Sequence, residues 1–277
     1  MFLAHTSANQ ADQLAAAVVG AMRPISGWCS QFQPHFLSLI FRELLEVEID
    51  FQRIPGLSVA EASVIFPGPV QRRELIELLV LTEMMVNPIP VELERSLEHW
   101  ADALNVHDRS LVLARDVAIQ ARAQAQSDFY RLFWMGEEDL QKANFELLLE
   151  KHGTQAWTFT VEEDPELAAQ WRSLAQLPGG TLGAAVWQHY QSHSFTTPGE
   201  LGGANAALAH HDWLHVLGGY NVDVIGEVEN AAFGAGSSSV PGSTLWFLGA
   251  MAMFEGGLFD SVVAGCQPHQ ISAAAGP

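Results

Sequence analysis

The sequence predicts an all-α protein, built as two helical domains or as one helical domain with a helical N-terminal extension. Three observations predict it. Apolar residues recur at helical spacing, as at Phe36, Leu37, Ile40, Phe41, Leu44 and Leu45. Prolines and glycines fall where such segments would start or stop, as in Asn87-Pro88-Ile89-Pro90 and Gly218-Gly219. Only Trp157-Thr158-Phe159-Thr160-Val161 alternates as a short strand would, and an extended linker accounts for it equally well.

In chain order, the first expected helix is Ala-rich, Gln10 to Met22, and is stopped by Arg23-Pro24. Pro34 to Phe51 is expected to be a second, with Glu43, Glu46, Glu48 and Asp50 on its polar positions. Pro55 to Pro69 reads as a loop-rich connection. Gln71 to Met85 and Val91 to Leu104 follow as amphipathic helices. A long helix is expected from Asp108, as its N-cap, to Trp134, and another from Glu137 to Lys151. Glu46, Glu48, Glu83 and Glu98 lack the Glu-x-x-His pairs of carboxylate-bridged metal bundles, so they read as solvated-face residues. This half is similar to the tellurite-resistance B-like helical domain.

Glu162-Glu163-Asp164-Pro165 opens the next helix, with Pro in its first turn and acids at its positive end. Leu182 to His193, a motif helix around residue 211, Asn221 to Phe233 and Thr244 to Ala264 complete the set. Gly234 to Gly242 reads as a flexible loop and Ile271 to Pro277 as a disordered tail. The expected division is a helical domain at 1–140 and a second, chemistry-bearing helical domain at 141–277.

Composition narrows the function. A chain of 277 residues with 48% hydrophobic and 16% charged residues can bury a generous core. A net charge of −19 argues against nucleic acid, which needs clustered Lys and Arg, and against attraction to anionic lipid. Cys29 and Cys266 lie far apart and read as buried thiols of a cytosolic protein. Met1 to His5 has no basic leader pattern, and the longest apolar stretch, Leu245 to Phe254, is too short to span a membrane. The expected address is cytoplasmic, with peripheral membrane association left open. From Ser173 to Pro277 there is no Lys or Arg, while seven Asp and Glu remain, so a bound cation would offset acids that salt bridges cannot.

The chemistry concentrates in Ala209-His210-His211-Asp212-Trp213-Leu214-His215, followed by Gly218-Gly219 and Gly226-Glu227. The pattern is H-D-x-x-H, eleven residues, then E. His211 and His215 are four apart and so share one helical face, with room for a metal between them. Asp212 adds an oxygen ligand or acts as a base on metal-bound water. Gly218-Gly219 ends the helix, so that a second helix can return Glu227 to the same place. Two nitrogens with one or two carboxylates suit zinc, iron(II) or manganese better than calcium. Such a histidine pair also arises as two partly buried residues bonded to backbone. His189 and His193 are again four apart and read as exposed, as a second metal face, or as outer contacts of the first. Glu255 and Asp260 are spare acids for the site.

The segment His211 to Gly219, continued by Ile225-Gly226-Glu227, resembles the core motif of the coenzyme Q biosynthesis protein four family. Leu177-Pro178-Gly179-Gly180-Thr181-Leu182-Gly183 resembles that family's L-P-x-G-T-L-G turn, and Pro198 matches a Pro before its motif helix. The resemblance covers roughly residues 140 to 265. It implies an all-helical fold, a divalent metal on His211, Asp212, His215 and Glu227, and a role in ubiquinone biosynthesis. Family roles include organising the biosynthetic complex, binding prenylated lipids and removing the ring carboxylate oxidatively. The chain departs from the pattern where a basic run usually precedes the His-Asp pair: here stands Asn205-Ala206-Ala207-Leu208-Ala209-His210. The lysine often found after the Glu is also missing.

Two functions follow. One is a metal-dependent enzyme acting on an apolar aromatic or quinone-like substrate, with Trp213 and the Leu245–Phe254 helix as pocket wall. The other is a prenyl-lipid-binding or scaffold protein with a structural metal, working beside other biosynthetic enzymes; a homo-oligomer fits either. A zincin-like hydrolase would need H-E-x-x-H, one methylene longer than the acid here. A His-Asp phosphohydrolase would lack any cation but the metal for its phosphate.

Overall fold

A computed structural model describes residues 3, 5–23, 27–86, 88–107, 147–148, 150–157, 159–237, 244–257 and 269–271. The fold is all-α, with no strand among the described residues. In order, the helices are α1 (Ala11–Met22), α2 (Phe32–Leu45), α3 (Val59–Ile65), α4 (Pro69–Glu83), α5 (Val91–Leu104), α6 (Pro165–Ser173), α7 (Leu182–His193), α8 (Ala206–Gly218), α9 (Val224–Ser237) and α10 (Thr244–Phe254). The expected Asp108–Trp134 helix, most of the Glu137–Lys151 helix, Asp260, Cys266 and residues 272–277 lie outside the described residues.

Contacts divide the chain into two units, Met1–Phe129 with Ala235–Pro277, and Tyr130–Gly234. Composition changes after Arg172, but contacts follow packing: α10 lies against α4 and so joins the first unit.

α4 is the axis of the first unit and touches α1, α2, α5 and α10. Pro69 occupies its first turn, where a missing N–H costs nothing. Every residue from Glu74 to Glu83 is buried, so this helix has no solvated face beyond its first turn. Three carboxylates are therefore carried inside. Glu74 accepts bonds from the His5 backbone N–H (2.9 Å) and the Thr6 hydroxyl (3.1 Å), which anchors the N-terminal segment. Glu77 pairs with Arg73 Nε at 2.9 Å, one turn away. Glu83 Oε1 has no hydrogen-bond partner among the described residues. The solvated-face reading thus holds for Glu46 and Glu48, which are exposed, and is corrected for Glu83, which is 2% exposed.

Other expectations shift locally. α2 stops at Leu45 because Glu46 takes a left-handed conformation (φ 56°). Ile49 and Phe51 still enter the core, but from non-helical chain, and Phe51 meets Phe41 edge-on at 5.0 Å. The Pro55–Pro69 connection contains α3. Its capping box has the Ser58 hydroxyl accepting from Glu61 N–H and the Glu61 carboxylate accepting from Ser58 N–H. That Ser-x-x-Glu signature stood in the sequence. No strand is found among the described residues of Trp157–Val161: Gly153–Trp157 is a 3-10 turn, and Phe159 makes a single bridge to Ala204. α9 runs on to Ser237, into the expected loop. Cys29 is exposed rather than buried. No helix among the described residues is long and apolar enough to cross a membrane.

Burial, and then the charge of Glu94, pushes the Glu83 carboxyl up from its ordinary 4.5 to about 8. Between those pH values the folded chain holds a proton that the unfolded chain has lost. Stability is therefore full below the lower value and falls as pH rises to the upper one, by at most about 1.4 kcal/mol per pH unit. Glu83→Gln should remove this slope and raise the melting temperature at pH 8 relative to pH 5, as read by thermal unfolding across that range.

Candidate metal centre

The site is assembled in the second unit by the ends of two helices. Asn205 caps α8, its side chain accepting from Leu208 N–H at 2.8 Å. Gly219 ends α8 in the left-handed region (φ 70°), where a side chain would be strained. The chain then turns back within five residues. Asp223 opens α9, its carboxylate accepting from Gly226 N–H at 2.9 Å. Gly226 is required here by space: an added Cβ would lie 1.9 Å from the Asn221 carbonyl oxygen. This tight return delivers Glu227 in the first turn of α9 to the histidine face of α8.

His211 and His215 meet edge-on one turn apart, ring centroids 4.7 Å from each other. Glu227 spans both: Oε2 lies 3.0 Å from His211 Nε2, and Oε1 lies 3.3 Å from His215 Nε2. Ligand atoms of His211, His215 and Glu227 all fall within 4.8 Å of one another, so the three could hold one metal ion. Donors about 2.0–2.2 Å from a single ion sit roughly 3–4 Å apart, so only a small contraction is needed.

His215 supplies the sharpest test of fit. It is 1% exposed, and its Nδ1 faces the Tyr220 carbonyl oxygen at 3.4 Å. With the proton on that nitrogen, Nε2 carries a lone pair. Nε2 is nonetheless buried, and although 3.3 Å from Glu227 it lies outside hydrogen-bond geometry. A buried lone pair facing a carboxylate is unfavourable unless a cation lies between them. The donor set therefore fits a divalent ion.

Asp212 is not in the converging trio. Its Oδ1 lies 3.3 Å from His211 Nδ1, and its Oδ2 accepts from the Tyr190 hydroxyl of α7. Burial, followed by the Asp212 charge, holds that phenol far above its ordinary value, so the hydroxyl stays protonated. α7 is launched by the Leu177–Gly183 turn, in which the Thr181 side chain accepts from Ala184 N–H at 3.3 Å. Gly183 lies close beneath the Leu177 side chain: an added Cβ there would lie 2.4 Å from Leu177 Cδ1.

α7 also brings His189, which stacks on His215 at 6.1 Å, while His193 is exposed. His189 Nε2 is buried without a hydrogen-bond partner. Burial, and then the nearness of His193, pulls its imidazole below the ordinary value. Trp171, Tyr190, Phe195 and Trp213 form the aromatic surroundings: Trp171 meets Tyr190 at 5.0 Å and Trp213 at 6.0 Å, and Phe195 meets Tyr190 edge-on at 5.7 Å.

The spare acid Glu255 belongs to the first unit, where its carboxylate lies 3.1 Å from His269 Nδ1. The Leu245–Phe254 helix, expected as a pocket wall, packs on α4. Two contributors carried no motif in the sequence. Tyr190 stood out only as an aromatic residue on the helix of His189. Asn230 is fully buried and its Nδ2 donates to the His211 carbonyl at 3.1 Å, which ties α9 to α8. Its one sequence signal is the i,i+3 spacing from Glu227. Compared with family models, curated proteins and solved structures, the chain has no match. The family resemblance rests on the two motifs.

Without metal the trio is an ion pair. Burial resists charging of His211, but hydrogen bonds to Asp212 and Glu227 prevail and raise it to about 9. Burial raises Glu227 as well, but the hydrogen bond from His211 and the nearness of both imidazoles outweigh that and bring it down to about 2. A metal and the His211 Nε2 proton thus compete for one position. Binding of Zn(II) should release about one proton at pH 7 and strengthen roughly tenfold per pH unit up to about pH 9. Titration calorimetry in buffers of different ionisation enthalpy reads the proton count directly.

Proposed function

We propose that this protein is a metal-dependent enzyme acting on an apolar aromatic or quinone-like substrate. The observation that carries the proposal is the convergence of two imidazoles and a carboxylate, with a His215 nitrogen left buried and unbonded opposite Glu227. His211, His215 and Glu227 would hold the ion, as zinc, iron(II) or manganese. When bound, such an ion polarises a substrate oxygen or activates water or dioxygen. Two histidines and one carboxylate form the ligand set of non-haem iron oxygenases, which supports oxidative chemistry as the specific reading.

The chain's own residues supply the surroundings. Trp171 and Trp213 offer aromatic faces on which a planar ring can stack. From Ser173 onward there is no Lys or Arg, so the ion would be the main positive charge for an anionic substrate group. By the family resemblance, the reaction would be oxidative removal of a ring carboxylate or a related hydroxylation in quinone biosynthesis. The missing basic run argues for a substrate without a second anionic head group. A binding or scaffold role with a structural metal is the other reading of the same ligand set.

The test is metal content by elemental mass spectrometry on purified wild-type protein and on His211→Ala/His215→Ala. Near-stoichiometric iron or manganese, lost in the double variant, supports redox chemistry. Release of carbon dioxide from a hydroxyaromatic carboxylate in air should then depend on Glu227 and fall at least a hundredfold in Glu227→Gln. Zinc would remove the oxidative half of the proposal. Absence of any metal after resupply to folded protein would remove the whole of it.

A further inference from the structure

We propose that Tyr190 is a positioning residue of the metal centre, and that Asp212, which it holds, is the hydrogen-bond acceptor for His211 rather than a ligand. The inference rests on the metal reading above and reassigns one residue within it. His211 and Asp212 are neighbours on α8, so their side chains leave the helix in different directions. Asp212 therefore meets His211 from the side, at Nδ1 (3.3 Å), while Nε2 of the same ring faces Glu227 at 3.0 Å. One ring nitrogen is thus directed to the trio and the other to Asp212. A proton kept on Nδ1 by a carboxylate leaves the Nε2 lone pair to a metal and makes it a better donor.

Asp212 needs an anchor of its own to do this, because its side chain is only 16% exposed and its charge must be compensated. Tyr190 provides it. The residue is 1% exposed, and its hydroxyl donates to Asp212 Oδ2. Its ring is wedged between Trp171 and Phe195, at 5.0 and 5.7 Å, so it cannot swing away without opening that aromatic cluster. Both oxygens of Asp212 are thereby engaged, one by the imidazole and one by the phenol. To become a ligand, Asp212 would have to give up one of these contacts in a buried place. The line Tyr190–Asp212–His211 runs from α7 to α8, and it explains why the turn at Leu177–Gly183 accompanies the metal motif in this sequence: that turn sets the start of the helix on which Tyr190 rides.

The experiment titrates Co(II) into wild-type protein, Tyr190→Phe, Asp212→Ala, the double variant and His215→Ala. It reads the dissociation constant and the visible d–d spectrum, with circular dichroism and metal-free melting as fold controls. Tyr190→Phe should keep one equivalent of cobalt, weaken its binding about 10- to 100-fold and shift the spectrum. Asp212→Ala should also keep one equivalent, and adding Tyr190→Phe to it should change nothing more, because the phenol acts through the carboxylate. An unchanged constant and spectrum in Tyr190→Phe would overturn the inference. So would cobalt loss in Asp212→Ala as complete as in His215→Ala, which would make Asp212 a ligand. Should Tyr190→Phe fail to fold, the comparison of Asp212→Ala with His215→Ala decides the assignment of Asp212 without disturbing the aromatic cluster. Failure of the wild-type chain to take up Co(II) is a separate result, and overturns the metal reading together with this one.

Discussion

The second unit depends on one electrostatic constraint: the Glu227 carboxylate is buried between two imidazole nitrogens, one on the buried His215 and one on the part-buried His211. A carboxylate taken out of water costs several kcal/mol unless its charge is met. Two solutions fit the same three side chains. A proton on His211 makes an imidazolium–carboxylate pair, and a divalent ion replaces that proton and also satisfies His215. The first leaves His215 Nε2 unbonded, and the second leaves nothing unmet. Since no Lys or Arg follows Arg172, no cationic side chain from the later sequence can take the place of either.

The backbone meets this constraint with short-range devices. Gly219 reverses the chain after α8, Asp223 fixes the first turn of α9, and Gly226 lets that turn approach Asn221 more closely than any side chain would allow. Asn230 then fastens α9 to the carbonyl of His211. The eleven-residue spacing between His215 and Glu227 is thus the length of one helix end, one turn and one helix start. α7 completes the arrangement from outside the motif, with Tyr190 on Asp212 and His189 on His215.

The first unit solves a related problem without histidine pairs. From Glu74 onward α4 is enclosed on every side, and this stretch still carries Glu74, Glu77 and Glu83. Glu74 is matched by the chain's own N-terminal segment and Glu77 by an arginine one turn back. Glu83 is matched by a retained proton. Amphipathic periodicity correctly located this helix but implied a wet face for Glu83, because periodicity records which residues are apolar and not how many neighbours surround the helix. The same limit explains Ile49 and Phe51, whose spacing read as helix although they reach the core from non-helical chain after Glu46.

By itself the sequence determined the all-α class, the helices from Val91 to Leu104 and from Leu182 to His193, and the shared face of His211 and His215. These depend on local propensity, capping and a period of 3.6 residues, which are contained in short stretches of chain. It also held signals that local reading passed over, such as the Ser58–Glu61 capping box. The motif spacing allowed Glu227 to return to the histidines; tertiary structure alone decided that Asp212 turns to Tyr190 and His211, that Glu255 pairs with His269, and that α10 packs on α4. Each of these brings together groups from different helices, and their meeting is set by packing and by the need to compensate buried charge, neither of which is written in the spacing of any single segment.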